Sequence, residues 1–201
     1  MQDAINLFAD WCKKMKLKIN VQKTKVMVFS AKKNLEPPIL KLNEEYIQQV
    51  KHYRYLGMTF DAPYLTWGKH FDELKAHCTN TLNILKSLAG STWGADRETL
   101  LKINEAMIRS KIAYGCAAYI STCQTNFDKL EVVQNQALRI ALGTWQSTVI
   151  SELQVEANVV PLILYIQQQC IIQYYKIRTM GPTNKTYELL FNNEDIRNLQ
   201  W

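Results

Sequence analysis

Apolar residues recur at helical spacing in the first stretch of the chain, where Ile5, Phe8, Trp11, Cys12 and Met15 fall on one stripe. The spacing predicts a helix over residues 2–16 with that stripe buried. Lys13, Lys14 and Lys16 would then occupy its last turn, where cations complement the helix dipole. Residues 26–30 are β-branched and aromatic enough for a strand. Pro37 and Pro38 break the chain, and residues 39–42 and 46–50 alternate around Asn43-Glu44 as a hairpin would. A further strand is predicted over residues 53–60, with Gly57 marking a bulge or a close backbone approach.

After about Asp61 the period changes from two to 3.6. Phe71, Leu74, Cys78, Leu82, Leu85 and Leu88 step by three and four, an amphipathic helix closed by Gly90 or Gly94. A second helix is predicted from an Asp96 cap to about Ile120, with residues 112–120 apolar nearly all round and most deeply buried. A third uses Phe127, Leu130, Val133, Ala137 and Ile140 or Ala141 and ends near Gly143. Shorter helices follow at residues 149–157 and, after Pro161, at 162–180, where Gly181-Pro182 stops the run. The predicted class is α+β: a small helix plus β-hairpin piece followed by a bundle of four or five helices. The boundaries expected are 1–62, 63–160 and 161–201.

Composition narrows the class of protein. Of 201 residues, 47% are hydrophobic and 21% charged, the balance of a globular chain. The strongly apolar stretches, 112–120 and 159–166, are far shorter than the ~20 residues that span a bilayer. Asp3, Asn6 and Asp10 interrupt the only stretch that resembles a signal peptide, so an intracellular protein (nuclear or cytoplasmic) without membrane partners is expected. Cys12, Cys78, Cys116, Cys123 and Cys170 are odd in number, lack a C-x-x-C pair and sit among apolar neighbours, which reads as reduced, buried thiols.

The net charge of +6 is unevenly placed, because residues 1–60 hold 11 of the 24 basic side chains and only 5 of the 18 acidic ones. The remainder of the chain is balanced. A run of Lys13, Lys14, Lys16, Lys18, Lys23, Lys25, Lys32 and Lys33 would attract a phosphate backbone, or else form a solvated basic face.

Several phrases occur together in a recognisable order. Trp11-Cys12 is followed by Leu17-Lys18-Ile19-Asn20, Lys23-Thr24 and Val26-Met27-Val28-Phe29-Ser30; then come Tyr55-Leu56-Gly57, Phe60-Asp61, Trp67 and His70. Trp93-Gly94, Tyr114-Gly115 and Gln134 with Gln136-Ala137-Leu138-Arg139 complete the series. From Met1 to about Pro161 this resembles the region downstream of the catalytic aspartates in reverse transcriptases of non-LTR (LINE-type, jockey-like) retrotransposons. The resemblance implies that residues 1–62 end the palm, with a motif D-like block and, at Tyr55-Leu56-Gly57, a tight primer-grip hairpin. It implies a helical thumb over 63–160 and a helical extension over 161–201.

The same resemblance defines what the chain lacks. Such polymerases hold two Mg²⁺ ions on paired carboxylates, and the family places two of those aspartates upstream of this segment. Phe8-Ala9-Asp10 mimics the aromatic-Ala-Asp-Asp turn, but Trp11 replaces the second aspartate and the surrounding period is helical. No cofactor is therefore expected in this chain, Mg²⁺ belonging to the parent enzyme, and the chain alone should not polymerise. Lys23 is the candidate catalytic residue: the resemblance implies a lysine near the triphosphate that protonates the departing pyrophosphate, and an ordinary surface lysine is the alternative. Asn20 and Thr24 would shape its turn by side-chain-to-backbone hydrogen bonds.

Nucleic-acid contacts are expected from Lys13, Lys14, Lys18, Lys25, Tyr55, Leu56 and Gly57, with Gly57 admitting the backbone and Tyr55 and Leu56 packed beneath, unless this is a simple buried strand. His52, His70 and His77 form no ligand cluster, and Tyr53, Tyr55, Trp67 and Trp93 read as core more than as stacking platforms. The function expected is that of a reverse-transcriptase fragment handling an RNA template and DNA primer beside an upstream palm and fingers. The rival is a non-enzymatic helical module that binds protein.

Overall fold

The computed structural model describes residues 1–30, 38–90 and 93–192. Lys32, Lys33 and the Pro37 break lie outside them. The chain divides into two compact units, residues 1–70 and 71–201.

In the first unit, α1 (Gln2–Lys14) packs on a small β region. Its buried face differs from the expected stripe. Ala9 and Cys12 are buried and Ile5 half-buried, whereas Phe8, Trp11 and Met15 are exposed. Both stripes obey helical spacing, 5-9-12 on one side and 8-11-15 beside it. The inner one carries the small side chains, which let the helix approach Leu40, Leu42 and Ile47 closely. Phe8 and Trp11 stack on each other on the outer side, ring centroids 6.1 Å apart.

Three separate two-stranded ladders follow. β1 (Lys25–Val26) pairs in parallel with β4 (Gln48–Gln49), and β2 (Lys41–Leu42) pairs antiparallel with β3 (Glu45–Tyr46). The β2–β3 turn is Asn43-Glu44, both at positive φ, as the tightest hairpins require. The strand expected over 26–30 is thus cut to its first residue. Beyond it the chain is held by Val50 N–H donating to Val26 O and Ser30 N–H to Pro63 O.

The single strand expected over 53–60 is a hairpin instead: β5 (His52–Tyr55) turns at Leu56-Gly57 into β6 (Met58–Asp61). Leu56 at φ 48° and Gly57 at φ 83° make the reversal. Leucine pays a steric penalty there that glycine does not, so the residue pattern hid the turn. The resemblance, which implied a tight hairpin, anticipated it. Asp61 closes its base: Thr66 Oγ1 donates to one carboxylate oxygen at 2.8 Å, and His52 faces the other at 3.6 Å.

Helix α2 (Gly68–Leu88) begins within the first unit and runs on in the second. Its predicted stripe is buried, from Phe71 through Leu85, with Leu88 half-buried. The helix expected over 96–120 is interrupted. α3 (Arg97–Ile103) passes into a π-helical turn (Asn104–Arg109), then α4 (Ser110–Ala113); a break at Tyr114-Gly115 precedes α5 (Cys116–Tyr119). Gly115 takes the left-handed conformation at that break and Tyr114 becomes extended, which ends the helical ladder. Ile112, Cys116 and Tyr119 are fully buried, but Tyr114 faces solvent.

α6 (Gln124–Leu142) ends as expected at a left-handed Gly143; α7 (Ile150–Glu156) and α8 (Leu162–Thr179) follow. A short α9 (Lys185–Tyr187) continues into a second π-helical turn (Glu188–Asn192) that periodicity did not disclose. The core of this unit centres on Phe71, whose ring meets Tyr119 and Phe127 edge-on at 5.2 and 5.5 Å. The class is therefore α+β, a helix with small hairpins followed by a block of longer helices. Among the described residues no helix is long and apolar enough to cross a membrane.

Candidate nucleic-acid interface

The turn that carries Lys23 is built by its neighbours. Asn20 caps a 3₁₀ turn (Val21–Lys23), its Oδ1 accepting from Lys23 N–H at 3.0 Å, and Thr24 Oγ1 donates back to Asn20 O at 2.9 Å. These are the two side-chain-to-backbone bonds the sequence predicts. The Lys23 carbonyl then accepts from the Tyr53 hydroxyl at 3.2 Å. That contact joins the lysine turn to β5, hence to the hairpin whose tip is Tyr55-Leu56-Gly57. Thirty residues of chain separate the two partners.

The tip is exposed, where Tyr55 and Leu56 were expected to pack beneath the turn. Tyr55 is 59% exposed and Leu56 71% exposed. A hairpin only two strands wide has no second layer to cover both sides of its turn. Solvent therefore reaches an aromatic ring, an aliphatic side chain and a glycine at one place. Of the other aromatic residues, Trp67 is buried against Phe60 (5.2 Å between centroids), while Tyr53 and Trp93 are exposed. His70 is buried with its Nδ1 accepting from Thr59 N–H at 3.3 Å, a structural role.

The lysines occupy three local settings. Lys13 and Lys18, with Lys16, line a shallow surface depression of about 320 Å³ around Asn43. Lys14 is exposed in the last turn of α1. Lys25 lies on β1, its ammonium bonded to Gln48 Oε1 across the parallel ladder. Among the described residues no acidic side chain lines the depression at Lys13 and Lys18. An excess of unneutralised positive charge is what a phosphate backbone is drawn to.

A two-metal site needs convergent carboxylates, and the residues do not fit one. Asp10 is exposed on α1 between Ala9 and Trp11. Among the described residues no three His, Cys, Asp or Glu side chains come together as a metal site. No step through a metal is assigned to this chain.

Two features were not visible in the residue pattern. Arg109 is buried in the π-helical turn, its guanidinium 4.0 Å from the Tyr165 ring centroid and donating to Val160 O at 3.2 Å. Burial lowers its pKa, and the ring face offsets part of the desolvation. Also, of the five free cysteines only Cys12, Cys78 and Cys116 are buried; Cys170 is half-buried and Cys123 exposed. Cys123 stands at the N-cap of α6 among Thr122, Gln124 and Thr125, a polar surface setting that its spacing did not reveal.

No protein-family model matches the chain, and no solved structure matches it. Individual proteins do. It is 23% identical over 143 residues to the "Probable RNA-directed DNA polymerase from transposon X-element" of Drosophila melanogaster, covering 71% of this chain and 16% of that protein. It is 28% identical over 147 residues to the "Probable RNA-directed DNA polymerase from transposon BS" of the same organism, covering 69% and 15%. The "RNA-directed DNA polymerase from mobile element jockey" of Drosophila melanogaster matches at 22% over 143 residues, covering 71% and 15%. The similarity is to transposon-borne polymerases. It extends over most of this chain at low identity, and the chain spans 15–16% of the length of those relatives.

Proposed function

We propose that this chain is the segment of a transposon-borne RNA-directed DNA polymerase that handles the template–primer, without the carboxylates that carry out polymerisation. The observation that carries the reading is the similarity to three such polymerases over about 70% of the chain. In this reading residues 1–62 end a palm, 63–160 form a thumb and 161–201 extend it. Lys23 serves as an acid toward departing pyrophosphate once the upstream palm and fingers and their Mg²⁺ are present. The Tyr53–Lys23 contact, which links the lysine turn to the hairpin strand, and the exposure of Tyr55 and Leu56 at the hairpin tip support it.

Lys13, Lys14, Lys18 and Lys25 are the proposed phosphate contacts. Binding should be weak and indifferent to sequence, with affinity falling log-linearly with salt at about −0.9 per phosphate contact. Three to five contacts would give a slope of about −3 to −5. Fluorescence anisotropy with a labelled duplex measures it. Reversing the charge of those four lysines abolishes binding on this reading. Reversing Lys102, Lys111 and Lys129 leaves it nearly intact; Lys102 and Lys129 are already paired with Glu98 and Asp72. A second reading, a helical protein-binding module, is favoured by the apolar surface of α8, where Leu164, Ile171 and Tyr175 are each more than half exposed. That reading predicts no binding, or a flat salt dependence.

A further inference from the structure

Two of the free thiols meet across helices that are distant in sequence. Cys116 opens α5, directly after the left-handed Gly115, and Cys170 lies on α8. The two helices pack on each other. Cys170 Sγ donates to Cys116 Sγ at 3.4 Å, although the residues are 54 positions apart in the chain. On α8, Leu162, Ile166, Cys170 and Gln173 step by four and three and so share one face, of which Leu162 and Ile166 are buried. Gln173 Nε2 reaches Cys116 Sγ at 4.0 Å from the turn beyond Cys170. The Cys170 sulfur is thus held in the helix contact, against the sulfur of its neighbour.

A buried free cysteine often serves only as a small apolar side chain. Two features set this pair apart. The sulfurs need to approach by only about 1.4 Å to reach the length of a disulfide bond. Cys116 stands at a helix start, where the first N–H groups make no intrahelical bonds and the backbone is less tightly fixed. The exposures also differ, since Cys116 is fully buried and Cys170 half-buried. Reversible thiol oxidation needs such an arrangement, a sulfur that oxidant can reach with a resolving thiol beside it. Burial, followed by the hydrogen bond with Cys170, pushes the Cys116 thiol up to about 12, so it keeps its proton until it is called on.

We propose that Cys116 and Cys170 form a peroxide-responsive pair that closes reversibly into a disulfide and staples α8 to α5. The Cys170 sulfur attacks one oxygen of hydrogen peroxide and the O–O bond breaks. Cys170 becomes a sulfenic acid, and its thiol proton departs with the second oxygen as water. The Cys116 sulfur then attacks the Cys170 sulfur, the S–O bond breaks, and the hydroxyl departs with the Cys116 proton as a second water. The two sulfurs together give up two electrons, which the peroxide takes. A thiol reductant reverses the bond by exchange. This modification site is independent of the template–primer reading and holds whether or not the chain binds nucleic acid.

The test uses the whole chain carrying Cys123→Ser. Cys123 is exposed, and it lies with Cys116 between Lys111 and Lys129, so trypsin would leave both thiols on one peptide. Serine is a favoured N-cap, which keeps the start of α6 intact. After treatment with hydrogen peroxide, remaining thiols are alkylated in urea and the tryptic peptides are mapped by mass. The Cys116 and Cys170 peptides should appear joined, two hydrogens lighter than their sum, with Cys12 and Cys78 alkylated. Dithiothreitol should separate them. Because the cross-link constrains the unfolded chain, the joined form should unfold at higher urea than the reduced form. Cys170→Ser, a close replacement at a half-buried position, should leave Cys116 alkylatable and abolish the rise in midpoint. Conversion of Cys170 to a sulfinic or sulfonic acid while Cys116 stays alkylatable would refute the pair, because the sulfurs then do not close. Unmodified Cys170 at peroxide levels that fully oxidise Cys123 in the parent chain would reduce both thiols to ordinary packing. A joined form that unfolds at lower urea than the reduced one would mean that closure distorts the contact, and would overturn the site as one built for it.

Discussion

The Tyr53 hydroxyl donates to the main-chain carbonyl of Lys23 at 3.2 Å, and this bond ties the Asn20–Thr24 turn to the strand that carries the exposed hairpin tip. Tyr53→Phe removes the hydroxyl and keeps the ring. A net intramolecular hydrogen bond contributes about 0.5–1.5 kcal/mol, and a partly exposed one lies at the low end. Urea denaturation should therefore show a loss near about 0.5 kcal/mol with an unchanged m-value. An unchanged midpoint would mean that water substitutes fully for the contact, leaving turn and hairpin independently placed.

Among the described residues no carboxylates converge on a metal site, and this gives a direct activity prediction. Primer extension on an RNA template by the pure chain should yield no product with Mg²⁺ or Mn²⁺, because Asp10 belongs to no cluster of metal-ligating side chains among the described residues. Template-dependent extension by homogeneous protein would disprove the account of the missing site.

On the proposed reading, once the chain is joined to the upstream part of such a polymerase, Lys23→Ala should slow nucleotide addition by about 10²–10⁴-fold, the usual contribution of a positioned acid. Primer affinity should change far less. Single-turnover incorporation separates the two. An unaltered rate in a folded enzyme would return Lys23 to a solvated lysine on a well-capped turn.

The long helices were legible because their apolar stripes persist for several turns: Phe71 to Leu85 and Phe127 to Ala141 admit one buried face. In α1 two neighbouring stripes satisfy the same period, and closeness of packing chose the one with Ala9 and Cys12 over the one with Phe8 and Trp11. Spacing says nothing about that choice. The Leu56-Gly57 reversal was hidden because leucine is a poor marker of positive φ, whereas Gly143 announced the end of α6. At the candidate site, the Asn20–Lys23–Thr24 turn was readable since its capping bonds are local. Its tie to Tyr53 and the Arg109–Tyr165 contact each join residues distant in sequence. Only the folded chain brings them together.

Gly143 offers a test of the helix end. Its φ is +63°, and a Cβ there would meet no atom within 4 Å, so Gly143→Ala adds left-handed strain and no clash. The expected loss is about 1–2 kcal/mol by thermal or urea denaturation. Gly143→Asn should lose less, since asparagine tolerates this conformation better. A loss well above that range would mean that the turn after α6, in which Thr148 N–H donates to Trp145 O, depends on more than backbone strain.

The thiols predict both a reactivity order and a pH dependence. Cys123 is exposed, and hydrogen bonding to Thr125, 3.1 Å away, and then to the Asn126 N–H lowers its pKa below the ordinary thiol value. Burial pushes Cys78 up to about 11 and, with the neighbouring Cys170 thiol 3.4 Å away, Cys116 up to about 12. Iodoacetamide acts on the thiolate, so mapping of the native protein should find Cys123 alkylated first and Cys78 and Cys116 protected until unfolding. The sign of the stability effect follows from proton binding. The folded state keeps its buried thiol protons at pH values where unfolded thiols, with an ordinary value of 9.0, have lost them. Unfolding then releases protons, so the stability conferred by these groups is complete below about pH 9 and falls as pH rises toward the folded values. Each thiol contributes a slope of at most about 1.4 kcal/mol per pH unit in that window. Urea denaturation under reducing conditions at about pH 8 and about pH 10 brackets the onset. Cys78→Ala should show a shallower decline between the two than the parent chain, whatever its absolute stability. Equal declines in both would mean that the Cys78 proton is no more tightly held in the folded chain than in the unfolded one.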